Sequence, residues 1–565
     1  MSRINDLHKR RHHRRIEARH IPINLLALLS ASLHLSGVLA DAQSTDSSSS
    51  FESKCTSFSL QNVTHASITS TKYHADGSKI NMSTSMSSID TTELPGFCRI
   101  ELTITTNSTA NSTCNTEVWL PSTWNGRFLA LGNGGFAGGI NVGELGYIAV
   151  NQSYAGVSTD QGHTSKLTSA TWAGPSDDNT IVDWGWRAMH LSVVVGKEIV
   201  KQYYGSAQKH SYYMGCSQGG RSGFKEMQAF PDDFDGLVIG SPAAWHSHLR
   251  MWAGHLNGLV QPSTSDRYIN STAWTDVIHK EVLKQCDAID GLSDGIINDP
   301  KLCNFNASAL LCQSGQDAST CLSSTQVETL EKIYSDYIVN DDWVFSSYYP
   351  GGEVGYSTSY VEKVSAVSQS WFRYMLLNDT TWPLGDYNSS LIAVGDAIDP
   401  GQSDAVDTDL SAFAGSSHNG KLLHYVGWAD QIISPGASIR YYESVKNFTG
   451  DHMQVNIDDF YRLFTVPGME HCYGGDGANA FGGVQQASQS MPPLNHEPEY
   501  DVLAAMVQWV EQGVAPSNLT AVHYKDNDVA HGIDAIRPLC QYPKSLHYTG
   551  DDEMDPNSYT CKDSN

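Results

Sequence analysis

The run Gly215-Cys216-Ser217-Gln218-Gly219 stands between a strand-like stretch, residues 210–215, and a helix-compatible one, residues 218–230. A serine on so tight a strand-to-helix turn needs small neighbours to relieve crowding, and G-x-S-x-G provides them. Such a turn makes sense only at the end of a strand in a helix-covered sheet, so it constrains fold and chemistry together. The surrounding pattern agrees. Residues 234–240, 421–427 and 461–466 read as strands, and 183–204 as a helix with Trp184, Ala188, Leu191, Val194, Val195, Ile199 and Tyr203 on one broad face. Upstream, residues 99–105 and 117–121 alternate apolar and polar, and 125–132 form a buried-type strand running into Asn133-Gly134-Gly135-Phe136. Residues 147–150 and 154–157 read as further short strands, and 500–512 as a closing helix. Strand–helix alternation of this kind predicts an α/β fold with a mostly parallel sheet.

Residues 245–411 break the rhythm: they hold Cys286, Cys303, Cys312 and Cys321, many aromatics and no clear β-α units. They read as a subdomain inserted between two parts of one sheet domain, 41–244 and 412–565. Residues 1–40 are separate. The first twenty carry seven Lys/Arg against two acids, and the next twenty are uncharged, with small residues offering cleavage after Ala40 or Ala42. This is the pattern of a secretory signal peptide. A signal anchor is the alternative, opposed by Pro22, Asn24, Ser30, Ser32, His34 and Ser36 within the apolar run. Residues 41–53 form a Ser-rich leader expected to be disordered.

The net charge of −26 becomes more negative by five once residues 1–40 are removed, which argues against nucleic acid and anionic membrane as partners. Eleven N-x-S/T sequons, at Asn62, Asn81, Asn107, Asn111, Asn151, Asn270, Asn306, Asn378, Asn388, Asn447 and Asn518, fit a secreted, extracellular glycoprotein. All eleven cysteines lie beyond residue 40 and none is spaced C-x-x-C, so disulfides are expected rather than zinc ribbons.

Serine needs a base and an oxyanion hole to act as a nucleophile. On this fold the acid and the histidine follow later strands, in the order Ser, Asp, His. Asp430 follows the strand at 421–427 and His471 the strand at 461–466. Asp430 would hold the imidazole Nδ1–H and stabilise the imidazolium formed during attack. Cys216 precedes Ser217 and Cys472 follows His471, so bringing serine and histidine together also brings two cysteines together, and a disulfide between them would clamp both loops.

The Cys216-Ser217, Asp430 and His471-Cys472 set resembles the CS–D–HC signature of the tannase/feruloyl esterase family. Leu94-Pro-Gly-Phe-Cys98-Arg, Trp119-Leu-Pro, Trp124-Asn-Gly-Arg-Phe, Gly132–Gly139, Phe234-Asp-Gly-Leu-Val and residues 286–295 extend the likeness over residues 55–561. The resemblance implies an α/β-hydrolase with a large inserted lid domain at 245–411. It implies hydrolysis of phenolic-acid esters, polysaccharide-linked ones included, with a feruloyl esterase favoured by the N-terminal half and a tannase acting on gallate esters as the alternative. It makes Ser217, Asp430 and His471 the triad, with oxyanion donors expected from the N–H of Gln218 and of Gly134 or Gly135. It further implies a structural Ca2+ held by the carboxylates of Asp287, Asp290 and Asp294 and the carbonyls of Leu292 and Ile296. Finally it implies the bridges Cys216–Cys472, Cys286–Cys303, Cys312–Cys321, Cys540–Cys561 and Cys55–Cys98, leaving Cys114 without a partner.

A metal site at His246, His248 and His255 is opposed by the intervening Arg250 and Trp252 and by the lack of an evident carboxylate partner, so packing is the expected role. Trp245 and Trp252 are likewise expected to pack, with stacking on an aromatic acyl group as the alternative. A lipase or peptidase, and a non-catalytic hydrolase-like binding protein, are the rival readings. The polar stretches 263–275 and 287–299 oppose a lipase lid, and the intact triad positions oppose a mere binder. The sequence leaves oligomeric state open.

Overall fold

The computed structural model describes residues 49–174 and 178–564. The signal-peptide reading, with both cleavage sites, lies outside the described residues, as do residues 41–48. The described end of the Ser-rich leader departs from expectation: residues 49–57 are helical, and Cys55 within them is bridged to Cys98.

Nine strands form the central sheet: β1 (Ala66–His74), β2 (Phe97–Asn107), β3 (Ser112–Pro121), β4 (Arg127–Leu131), β5 (Ala155–Thr159), β6 (His210–Cys216), β7 (Gly236–Gly240), β8 (Lys421–Gly427) and β9 (Tyr461–Val466). Their spatial order is β1-β2-β3-β5-β4-β6-β7-β8-β9. Strands β1, β2, β3 and β5 pair antiparallel, and every pairing from β5 through β9 is parallel. The chain must therefore return over the sheet between parallel neighbours, and helices make those returns. Five helices matter here, the last of them after the final strand of the sheet: α1 (Ala188–Tyr204), α2 (Gln218–Ala229), α3 (His246–Val260), α4 (Pro435–His452) and α5 (Val502–Gln512).

Period-two alternation sorts the strand side chains onto two cores. Phe128, Ala130, Tyr213, Leu237, Ile239, Leu422 and Val426 meet α1, α2 and α4 on one face. Leu129, Leu131, Tyr212, Met214, Val238, Leu423 and Tyr425 meet α5 on the other. Both faces being covered explains why β6 to β8 are almost continuously buried.

Residues 241–420 run from β7 to β8, which are paired neighbours inside the sheet, so the aromatic-rich stretch is an excursion between two interior strands. It contributes no strand to the main sheet and adds a hairpin, Tyr337–Val339 with Asp342–Phe345. Its core holds Trp252, Trp274, Tyr356 and Trp371, and Phe136, Trp184 and Ile433 join that core from the sheet side. Phe51–Asn565 thus forms one compact unit. No helix among the described residues is long and apolar enough to cross a membrane.

A second element differs from the sequence reading. Residues 147–150, expected as a strand, belong to a helical turn, Leu145–Val150. A four-residue apolar run does not distinguish strand from helix. The decisive residue is Gly156 on β5, where a Cβ would sit 2.7 Å from the Ala149 side chain and 2.9 Å from that of Leu145. Its absence lets the helical turn lie directly on the strand.

Candidate active site

Ser217 ends β6 and begins α2 with φ 60° and ψ −122°, a conformation rare for a residue with a Cβ. The flanking glycines make it attainable. A Cβ at Gly215 would lie 2.4 Å from the Gly219 carbonyl oxygen, and one at Gly219 would lie 2.8 Å from that of Asn133. The Ser217 amide donates to Gly240 O (3.0 Å), and Ser217 O accepts from Ala243 N (3.0 Å), which ties the elbow to the end of β7. Such strain persists only where the surroundings over-determine it.

Arg221, one turn into α2, fixes the helix from beneath. It is fully buried, with Nη1 donating to Gly185 O (2.6 Å) and Ser403 O (3.0 Å), Nη2 to Trp184 O (3.2 Å) and Nε to Gln218 Oε1 (2.7 Å). Burial pushes its pKa down to about 10, offset in part by nearby acidic groups. The guanidinium joins elbow, insertion and α1 approach in one knot. Sequence reasoning passed over it, although an arginine three residues before Phe224 on a buried helix face is a detectable signal.

Asp430 follows β8 and is fully buried. Its Oδ1 accepts from Ile432 N (2.9 Å) and Ile433 N (2.8 Å), and its Oδ2 lies 2.8 Å from His471 Nδ1. The two backbone bonds fix the carboxylate as an Asx turn does. With Nδ1–H donated to Asp430, Nε2 is the imidazole nitrogen free to accept a proton. Gln431 does further positioning that the sequence reading missed. Its Oε1 accepts the His471 amide (3.0 Å), and its Nε2 donates to Glu470 Oε2 (3.1 Å). Burial, with the charges of Asp476 and Asp430 beside it, raises the Glu470 pKa.

The two loops are joined covalently. Cys216 and Cys472 form a disulfide with Cα atoms 6.3 Å apart, and a His471 ring nitrogen lies within 4.8 Å of its sulfurs. The imidazole is therefore held beside the elbow that carries Ser217. The other bridges are Cys55–Cys98, Cys286–Cys303, Cys312–Cys321 and Cys540–Cys561, while Cys114 is a buried free thiol.

Around the elbow, Gln218 opens α2, so its N–H has no carbonyl one turn earlier to bond. In the glycine-rich loop after β4, Asn133 anchors the backbone through Nδ2 to Gly139 O and Thr159 O (both 3.0 Å). Gly134 N–H meets the Met86 thioether at 3.2 Å, and Gly135 takes φ +52° where a Cβ would lie 2.6 Å from Leu167 O.

The acidic loop ends at Ile296, which lines a small pocket together with Ala429 and Glu470, the neighbours of Asp430 and His471 in sequence. Asp287 Oδ1 accepts from Gly295 N (3.0 Å), Asp290 Oδ1 from Leu292 N (3.0 Å) and Asp294 Oδ1 from Ile296 N (3.1 Å). Burial, with Asp294 and Asp287 adding their charge, pushes Asp290 up to about 6. The three carboxylates are not among the described ligand groups that converge within 4.8 Å, and Asp294 also meets Arg537 at 3.4 Å.

His246, His248 and His255 do not converge on a metal. His246 packs edge-on against Trp184 and Trp371, and His255 stacks on Tyr337. His248 does have the carboxylate that sequence reading did not find: Nε2 meets Asp396 Oδ1 at 2.9 Å and Nδ1 meets Val344 O at 2.8 Å. Trp252 is buried against Phe345 and Tyr348, whereas Trp245 is half-buried and stacks on His248.

A serine elbow, with an Asp-held histidine at the carboxyl ends of parallel strands, is the architecture of an α/β-hydrolase, and the likenesses to known proteins make the chain a carboxylic ester hydrolase. It belongs to the tannase and feruloyl esterase family, whose model matches residues 98–383 and 388–562. It is 38% identical over 522 residues to the probable feruloyl esterase B-1 of Aspergillus oryzae, covering 91% of this chain and 92% of that protein. The crystal structure of feruloyl esterase B from Aspergillus oryzae is similar at TM-score 0.82 and 37% identity, covering 91% of this chain and all of that one. Tannin acyl hydrolase from Aspergillus niger shares the fold at TM-score 0.70 and 22% identity, covering 91% and 94%.

Proposed function

We propose that this chain is a secreted esterase that releases hydroxycinnamic acids, ferulic acid among them, from plant cell-wall esters by acyl transfer through Ser217. The observation that carries the mechanism is the Asp430–His471 pair at 2.8 Å, held to the Ser217 elbow by Cys216–Cys472. His471 Nε2 takes the hydroxyl proton as Ser217 Oγ attacks the ester carbonyl, and Asp430 stabilises the imidazolium. The carbonyl oxygen, now negative, is met by the N–H of Gln218 and by one from Gly134 or Gly135. His471 returns the proton to the departing alcohol. Water, activated by the same imidazole, then releases the acid and restores Ser217.

The hydroxycinnamate preference rests on relatives named feruloyl esterase B at 35–38% identity over most of the chain. The tannin acyl hydrolase likeness supports the fold alone, so hydrolysis of gallate esters is the second reading. Secretion is supported by five disulfides and the eleven sequons.

We also assign a structural Ca2+ to the loop of Asp287, Asp290 and Asp294, with the Leu292 and Ile296 carbonyls as further donors. All five are hard oxygen donors, the kind calcium prefers. The mutual repulsion that helps raise Asp290 is what a cation relieves. A chelator should lower the melting temperature, and added Ca2+ should restore it; no shift would remove the assignment.

Side-by-side rates on methyl ferulate, methyl gallate, a long-chain triglyceride and a peptide test the substrate reading. Ferulate ester should be hydrolysed best, and gallate cleaved without ferulate would overturn the preference. Turnover surviving in Ser217→Ala would refute the mechanism.

A further inference from the structure

A cavity of about 350 Å³ lies beside the catalytic apparatus without including it. Its walls come from α2, the segment after β7, the hairpin of the insertion and the first turns of α4, and neither Ser217, Asp430 nor His471 lines it. Trp245, Trp343, Phe345, Phe224 and Tyr441 give it flat aromatic faces, and the volume lies in the range of small-molecule sites.

The charge of this cavity is unusual for the chain. The protein carries a net charge of −26, yet the one charged residue lining the cavity is Arg440. Arg440 is exposed at the start of α4, its guanidinium 4.2 Å from the Trp343 ring centroid. Among the described residues no carboxylate lies within ion-pair distance of it. The Trp343 indole N–H is buried there without a hydrogen-bond partner. A guanidinium over a tryptophan ring, with no carboxylate on it, presents its N–H groups as a fork for a carboxylate. Flat aromatic walls below it suit a ring attached to that carboxylate.

We propose that this cavity is a second, non-catalytic binding site for aromatic monocarboxylates, the chemical class of the acid that the proposed reaction releases. The ring lies against the aromatic wall that Trp245, Trp343 and Tyr441 contribute to the cavity, and the carboxylate pairs with Arg440. That the natural ligand is the product acid rests on the proposed function; the site itself rests on the cavity.

The test separates the two. Ser217 is blocked with a serine-directed phosphonate, and ferulate binding is measured by titration calorimetry. The blocked enzyme should bind one ferulate per chain, methyl ferulate should bind at least about tenfold more weakly, and Arg440→Gln should lose at least about tenfold in ferulate affinity. Arg440 is exposed, so this variant keeps the fold. Binding abolished by the phosphonate would place the acid in the catalytic cleft and overturn the proposal, as would equal affinity in Arg440→Gln. If unmodified enzyme fails to turn over methyl ferulate while blocked enzyme still binds ferulate, the substrate reading falls and the site stands.

Discussion

Replacing Cys216 and Cys472 together by alanine removes the covalent tie between elbow and histidine loop while leaving Ser217, Asp430 and His471 in place. The bridge closes a loop of 256 residues. In the chain-entropy account, such a loop constrains the unfolded chain by about 5.5 kcal/mol at 25 °C. Unfolding entropy of about 2.1 cal/mol/K per residue, over roughly 500 residues, converts that into a melting temperature lower by about 5 °C. Catalysis should suffer separately. The Asp430 contact and the Gln431 bond to the His471 amide persist, so the imidazole stays near the elbow with more freedom. A misplacement of about 1 Å can cost roughly 100-fold, so kcat should fall by about 10- to 100-fold. Calorimetric melting and kcat on methyl ferulate at 20 °C, well below the transition, read the two effects independently. Full stability together with unchanged kcat would show that the bridge neither constrains the unfolded chain nor fixes the histidine, and the reasoning would fail on both counts.

Asp430→Asn keeps an oxygen for the Ile432 and Ile433 amides but loses the charge and favours the wrong imidazole tautomer; kcat should drop by about 10³- to 10⁴-fold, and a loss under tenfold would remove Asp430 from the mechanism. Arg221→Met strands three buried carbonyl oxygens, those of Gly185, Ser403 and Trp184, and should cost about 3 kcal/mol in urea unfolding, a figure tempered by the desolvation that the arginine itself suffers. His424 sits in the middle of β8 with burial pushing its pKa down to about 3, so the folded chain holds it neutral. Below its unfolded pKa of 6.5 the unfolded chain binds the extra proton, and stability falls as pH drops from about 6.5 toward about 3. At pH 4.5 this amounts to about 2–3 kcal/mol. Burial pushes Asp160 and Asp404 up to about 6, and they act in the opposite sense between about pH 4 and 6. The comparison is therefore wild type against His424→Gln, which should lose less stability between pH 7 and 4.5; parallel losses would contradict the assignment.

Much of the sheet was legible because its strands are short, apolar and punctuated, and β8 and β9 fall at the residues their composition marks. The Ser, Asp and His positions were legible for the same reason, each sitting where a strand ends. What escaped depended on contacts far apart in sequence. Residues 147–150 follow the space left by Gly156, which no local propensity encodes. Asp396, the carboxylate partner of His248, lies 148 residues away on the far side of the insertion. Gln431 is a borderline case: its place after Asp430 was visible, but its grip on the His471 amide needed the two loops side by side.

The bridge between Cys216 and Cys472 also decides what a single backbone cut does to the molecule. Any scission between these cysteines, the whole 241–420 excursion included, leaves two polypeptides that are still one covalent body. The serine would remain on the first fragment and the aspartate and histidine, for a cut before Asp430, on the second, with the linking sulfurs one residue from serine and histidine. A protease could thus turn a one-chain enzyme into a two-chain one without parting its reacting groups, and separating the halves would take reduction of the bridge as well as unfolding of the sheet they share.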